Sequence, residues 1–278
     1  MYLRHTSATV LSTNVIDASL PVFDIASNYA KNTIIVSDTQ IYRSLKDDNM
    51  GNLPLYFPVF WKLEGTINTL AAFDPHFFTQ SVAQDEIIYL ISAPAVDTIA
   101  FANLEASEIV IELLDIDDNI IETKTSGLIS VNGINWINYW FNPLSHTTRD
   151  VIYIPIAVSD KIRIRIKNPG ALAKVGNIGI GMRTIIGCEI PGTRVSQRLV
   201  RDPWGEMKTI LDVSLSIGLD TQLRISTGDE LSHIGDKFSF FFFGDDSEDI
   251  VCAKITNNET TDNDEIYGIL NLELEGIK

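Results

Sequence analysis

Basic charge and cysteine are both scarce in this chain. Against 37 Asp and Glu stand only 21 Lys and Arg, a formal net charge of −16 over 278 residues. A duplex-binding surface needs Lys and Arg to displace counterions from phosphate, so nucleic acid is excluded as an expected partner, and so is an anionic membrane. The two cysteines, Cys188 and Cys252, lie far apart among apolar neighbours. They read as buried, reduced thiols, and a disulfide between them stays open because no cysteine framework demands one. No apolar run is long enough to span a bilayer, so no membrane insertion is expected. The opening MYLRHTSATVLSTNVIDASL has no apolar core followed by a small-residue cleavage pattern, so no signal peptide is expected.

The usual catalytic signatures are missing too. The four histidines, His5, His76, His146 and His233, have no metal-ligand spacing among them, and HExxH and CxxC do not occur. There is no GxSxG elbow, no P-loop, and no GxGxxG following a strand. GNIGIGMR (176–183) is glycine-rich but sits inside a strand pattern, where glycine marks close packing or a bulge rather than a phosphate cradle. LLDIDDN (113–119) fails as a calcium loop, since the sixth and twelfth positions from Asp115 hold Ile120 and Ser126 instead of Gly and Glu; it reads as an acidic turn. GDDSED (244–249) lacks the spacing as well. The expectation is a non-enzyme with no catalytic residues, no metal and no cofactor. Glycosidase carboxylates can come from anywhere in a fold, and nothing here points to them.

What the chain does have is strands. Short runs of Ile, Val, Thr, Tyr and Phe are broken by Asn, Asp, Gly and Pro. They fall at 33–37, 87–92, 98–104, 108–115, 150–158, 161–168, 177–187, 237–244, 249–257 and 266–275. KIRIRIKN (161–168) alternates strictly, with Ile162, Ile164 and Ile166 on one face and Lys161, Arg163, Arg165 and Lys167 on the other. It reads as a half-buried antiparallel strand whose basic face is solvated or meets a local acidic partner. FSFFFF reads as a central strand buried on both faces, and the chain ends in a hairpin around the polar loop NNETTDND. Only residues 220–234 suggest a short helix. The expected fold is all-β with little helix: a small aromatic-rich module with an N-terminal arm over 1–66, then a β-sandwich or jelly-roll-like body over 67–278, with a possible split near 190–210.

Aromatic residues gather in two places: Tyr42, Tyr56, Phe57, Phe60 and Trp61 in residues 41–65, and Trp136, Tyr139, Trp140 and Phe141 in 132–143. Aromatic rings fill small cores, stack on sugar faces and anchor interfaces, and both uses stay open for each cluster. The candidate contact residues are Tyr29, Tyr42, Tyr56, Trp61, Trp136 and Trp140.

Residues 28–65 resemble a pattern found in proteins of tailed-bacteriophage tails and baseplates. Its parts are Tyr29, then Ile41-Tyr42-Arg43-Ser44, then Asn49-Met50-Gly51-Asn52-Leu53-Pro54, then Trp61. The stretch is also similar to small chitin-binding modules. INTLAAFD (67–74) resembles the linker that follows the module in such phage proteins, with Thr69 and Leu70 where Arg and Trp are usual. VGNIGIGMRTIIGCEIPGTRVS (175–196), VRDPWGEMKTI (200–210) and the closing strand pair resemble further segments of that family. The resemblance implies a virion structural protein assembled in the host cytoplasm. It would sit in the tail, at the tip, baseplate or fibre attachment point, and bind other tail, baseplate or fibre proteins as a homo-oligomer. The alternative is a lectin-like receptor binder that recognises host surface glycan.

Overall fold

The computed structural model describes residues 2–6, 8–74, 79–92, 95–130, 145–146, 148–155, 161–184, 188–189, 196–201, 207–218, 239–243, 249–262 and 267–276. In chain order the first strands are β1 (Tyr2–His5), β2 (Thr9–Thr13), β3 (Ile34–Ser37), β4 (Gln40–Ser44) and β5 (Trp61–Thr66). After a single 3₁₀ turn at Ala71–Phe73 come β6 (Ser81–Ser92), β7 (Thr98–Glu105), β8 (Glu108–Leu114) and β9 (Ile120–Gly127). Then follow β10 (Ile129–Ser130), β11 (Ser145–His146), β12 (Arg149–Tyr153) and β13 (Lys161–Thr184). The last are β14 (Cys188–Glu189), β15 (Ser196–Arg201), β16 (Met207–Gly218), β17 (Ser239–Phe243), β18 (Asp249–Asp262) and β19 (Tyr267–Gly276). The fold is all-β and antiparallel, as the strand patterns require.

β13 is the spine. KIRIRIKN and NIGIGMRT, separate in the sequence reading, form one strand of 24 residues. Its first half lies between β6 and β8, its second half between β6 and β7, and its end takes β1. The interruption at Asn168-Pro169-Gly170 is a bulge rather than an end: pairing with β6 skips from Lys167 to Leu172. There Gly170 has φ +80 and donates its N–H to Asp85 Oδ1 at 2.7 Å, across from Asp85 with its own φ of 64. A bulge bends a strand and sharpens its twist. The sheet folds over at this bend, so Ile87, Tyr89 and Ile91 of β6, Ile99 and Phe101 of β7, Ile109 and Ile111 of β8, and Ile162, Ile164, Ile178 and Ile180 of β13 share one buried core.

The basic face of β13 is not an ordinary solvated face. Arg163 meets Glu112 at 2.7 Å, Arg165 meets Glu86 at 2.8 Å, Lys167 meets Glu108 at 2.9 Å and Lys174 meets Glu105 at 2.6 Å. Each carboxylate sits on a neighbouring strand, so the alternation encodes cross-strand ion pairing, worth a few tenths of a kcal/mol to about 1 kcal/mol per pair. The acidic segment at Asp115 is a turn: its carboxylate accepts the Asn119 side-chain amide at 3.0 Å and then the Asn119 and Asp117 N–H groups, each at 2.9 Å, which keeps its pKa below the usual range.

The C-terminal strands form the order β17-β18-β19-β16-β14, with β15 beside β16. β1 joins them to the body: Tyr2 pairs with Thr184 of β13 and with Phe241 of β17. Phe240 and Phe241 are both buried although they point to opposite faces, as expected for FSFFFF. The closing hairpin is tighter than the sequence suggests. β18 runs on through Asn257–Asp262 in register with β19, so most of NNETTDND is strand. β1 and β2 also depart from expectation. The arm assigned to the N-terminal module belongs to the large sheet, and only β3, β4 and β5 form the small one. The helix expected at 220–234 lies outside the described residues, as do the side chains of Cys188 and Cys252.

Two outcomes test this packing. A Cβ on Gly179 would stand 2.5 Å from Phe240 Cε2 and 2.8 Å from Leu3 Cδ2. Gly179→Ala is therefore expected to destabilise the fold by about 1–3 kcal/mol in chemical denaturation, with Gly127→Ala, where a Cβ meets nothing within 4 Å, as the quiet control. The second concerns Tyr89, fully buried, with its hydroxyl 2.8 Å from Ser81 Oγ and 3.1 Å from the Thr69 carbonyl. Burial pushes its pKa up to about 12. The neutral phenol is the form the core holds, so its contribution is complete below the unfolded value of roughly 10 and disappears as pH rises through about 12. Melting temperature against pH is expected to fall across that window, less steeply in Tyr89→Phe.

Candidate functional site

The small sheet is built around four buried side chains. Ile35 of β3, Tyr42 of β4 and Trp61 of β5 line one face, and Tyr29 closes over them, with Phe23 and Phe60 partly buried against the group. Register places Ile35 opposite Tyr42 and Ser44 opposite Trp61. The rings meet mostly edge to face: Tyr29 and Trp61 at 5.3 Å and 69°, Phe23 and Trp61 at 6.0 Å and 85°. Phe23 stacks on Tyr29 at 5.9 Å. Such pairs add about 0.5–1.5 kcal/mol beyond burial, which matters where aliphatic volume is limited.

The candidates therefore divide. Tyr29, Tyr42 and Trp61 are only 8%, 6% and 2% exposed. They are core, with little ring surface open to solvent. Burial, and secondly the charge of Asp38, push the Tyr42 phenol above its usual range. Its hydroxyl donates to Gln40 Oε1 at 2.6 Å, while Tyr29 Oη accepts the Asp24 N–H at 2.6 Å. Tyr56 is different: it is 71% exposed. Trp136 and Trp140 lie outside the described residues.

The remaining motif residues hold the loop that presents Tyr56. Asn49, fully buried, exchanges backbone hydrogen bonds with Tyr29, both at 3.1 Å, and gives its side-chain amide to Ser44 Oγ at 3.1 Å. Gly51 takes φ +74, a left-handed turn that favours glycine. Asn52 donates to Asn49 Oδ1 at 2.9 Å and receives the Trp61 indole N–H on its carbonyl at 2.7 Å. The Leu53 carbonyl accepts N–H groups from Tyr56 and Phe57, and the Phe57 carbonyl accepts those of Phe60 and Trp61. The loop is thus two linked turns tied to the core at Trp61. It exposes Met50, Leu55, Tyr56, Phe57 and Val59. Lys46 lies over the Phe60 ring at 4.4 Å.

Leu55, Phe57 and Val59 were missed as contact candidates. Their signal is present in LPLYFPVF, residues 53–60. Two prolines bar that run from a central strand, which leaves it as loop. Among the described residues no group of three or more His, Cys, Asp or Glu could hold a metal ion.

No family model matches the chain, and no curated protein does. Among solved structures, a fucose-binding module of Streptococcus pneumoniae is similar over 38% of this chain and 70% of its own, at 11% identity and a TM-score of 0.27. An F5/8 type C domain of a Bacteroides fragilis protein is similar over 41% and 80%, at 10% identity and 0.29. A fucosidase of Ruminococcus gnavus, solved with fucose, is similar over 41% of this chain but only 22% of the enzyme, at 12% identity and 0.29. These neighbours are carbohydrate-binding or F5/8 type C modules and one enzyme. Likeness at this level says nothing about what this chain binds.

The division between core and surface is measurable. Trp61→Ala removes the hub of the aromatic cluster and the indole bond to Asn52, and is expected to cost the module about 3–5 kcal/mol. Near-ultraviolet circular dichroism and limited proteolysis within 21–66 read that loss. Tyr56→Ala is expected to leave both signals unchanged.

Proposed function

We propose that the protein is a non-catalytic, lectin-like binder that recognises surface glycan through the loop at 53–59. The observation that carries this reading is Tyr56, a large ring 71% exposed, with Phe57 beside it, on a loop whose backbone is fixed by the hydrogen bonds to Leu53, Phe57 and Asn52. An exposed ring offers an apolar face to the C–H face of a pyranose and keeps its hydroxyl for a polar contact. A loop already held in shape loses little conformational entropy on binding. The net charge of −16 favours neutral or cationic partners over anionic ones.

A glycan array probed with the full chain tests the reading. Binding to defined sugars is expected, and Tyr56→Ala is expected to weaken it by at least tenfold while the melting temperature stays within about a degree. Binding that survives Tyr56→Ala and Phe57→Ala together would remove the loop from the site.

A second reading is attachment within a phage tail. Its support is the resemblance of residues 28–65 together with the exposed aliphatics Leu55 and Val59, which suit a protein surface better than a sugar. In that case the loop docks on a neighbouring tail, baseplate or fibre protein. Quantitative mass spectrometry of purified particles decides: a fixed copy number in ratio with tail components supports it, and absence from particles rejects it.

A further inference from the structure

Between the small sheet and the body lies a cleft of about 460 Å³, lined by Leu20, Val36 and Ile41 on its apolar side and by Asp17, Asp38 and Asn68 among its polar groups. Its size falls within the range of small-molecule sites, about 300–1,000 Å³. We propose that this cleft is a second binding site, one that takes an amine-bearing sugar unit and rejects uronic acids. The inference rests on the glycan reading and adds to it the charge class of the sugar.

The walls are fixed from both sides. Asn68 donates to the Ile16 and Val82 carbonyls, both at 2.9 Å, and accepts the Val82 N–H at 2.8 Å. Asp17 accepts the Thr69 N–H at 2.8 Å and the Thr69 hydroxyl at 3.0 Å. Each Asp17 oxygen keeps a further lone pair. Asp38 stands at the β3–β4 turn with φ 55, exposed, and its carboxylate accepts no hydrogen bond from the described residues. The lining includes no Lys, Arg or His. Two carboxylates with no cation beside them in the lining attract an ammonium group and repel a third carboxylate. Leu20, Val36 and Ile41 give the C–H face of a sugar ring something to rest on. Capping the amine with an acetyl group removes its charge and leaves both carboxylates without their partner.

The test is titration calorimetry on the full chain with oligomers of glucosamine, of N-acetylglucosamine and of galacturonic acid. Glucosamine oligomers are expected to bind at least tenfold more tightly than the other two. Asp38→Asn is expected to erase that preference, since Asn keeps the left-handed backbone and loses the charge. Asp38→Gly, equally at ease at positive φ, serves as the second variant. A preference that persists in both variants, or equal binding of the galacturonate oligomer, overturns the cleft as the site and leaves the Tyr56 loop standing. Failure of every sugar, on the array and in the calorimeter, overturns both.

Discussion

Everything in the body depends on one strand keeping its pairing through a break. β13 satisfies the backbone of β6, β7, β8 and β1. Its side chains alternate between the core and the ion-paired face, so a slip of one residue would put Arg163 and Arg165 where Ile162 and Ile164 now lie. The bulge at 168–171 lets this one strand serve both arms of the folded sheet. The Gly170–Asp85 bond at 2.7 Å ties β13 to β6 at the bulge, between the residues that pair with β8 and those that pair with β7.

The small module solves a different problem. With only β3, β4 and β5, it cannot close a core with aliphatics, and it uses Phe23, Tyr29, Tyr42 and Trp61 as large, rigid fillers. The hydroxyls and the indole N–H then serve as ties, to Asp24, Gln40 and Asn52. The last of these links the centre of the core to the outer loop. Motif residues are therefore the frame, and the rings the motif leaves free, Tyr56 and Phe57, stand exposed on the loop it holds.

The sequence made the strands legible wherever period-two alternation was strong. KIRIRIKN, TIAFANL and EIVIELLD all stand in the body as expected. It misled where local chemistry and tertiary context disagree. Asn168-Pro169-Gly170 looks like a turn, yet neighbours on both sides hold the chain extended around it. NNETTD looks like a loop, yet pairing with the apolar β19 carries it as strand. Burial of individual aromatics was only partly legible. The register of β3, β4 and β5 turns Tyr42 inward, which the sequence does not show, whereas Tyr56 lies between Pro54 and Pro58 in a run barred from the sheet. Long-range pairing was not visible at all: nothing in YLRH reveals that these residues will pair with 181–184.

That last pairing has a consequence for the chain as it leaves the ribosome. Tyr2 needs Thr184 on one side and Phe241 on the other. At about 5–20 residues per second, the second of these partners emerges roughly 12–48 seconds after the first strand does. Throughout that interval β1 is an open strand edge, a template on which a neighbouring nascent chain can pair. β1 is only four residues long, which limits that exposure. The longer the intervening residues take to be made, the longer that edge waits for its partners.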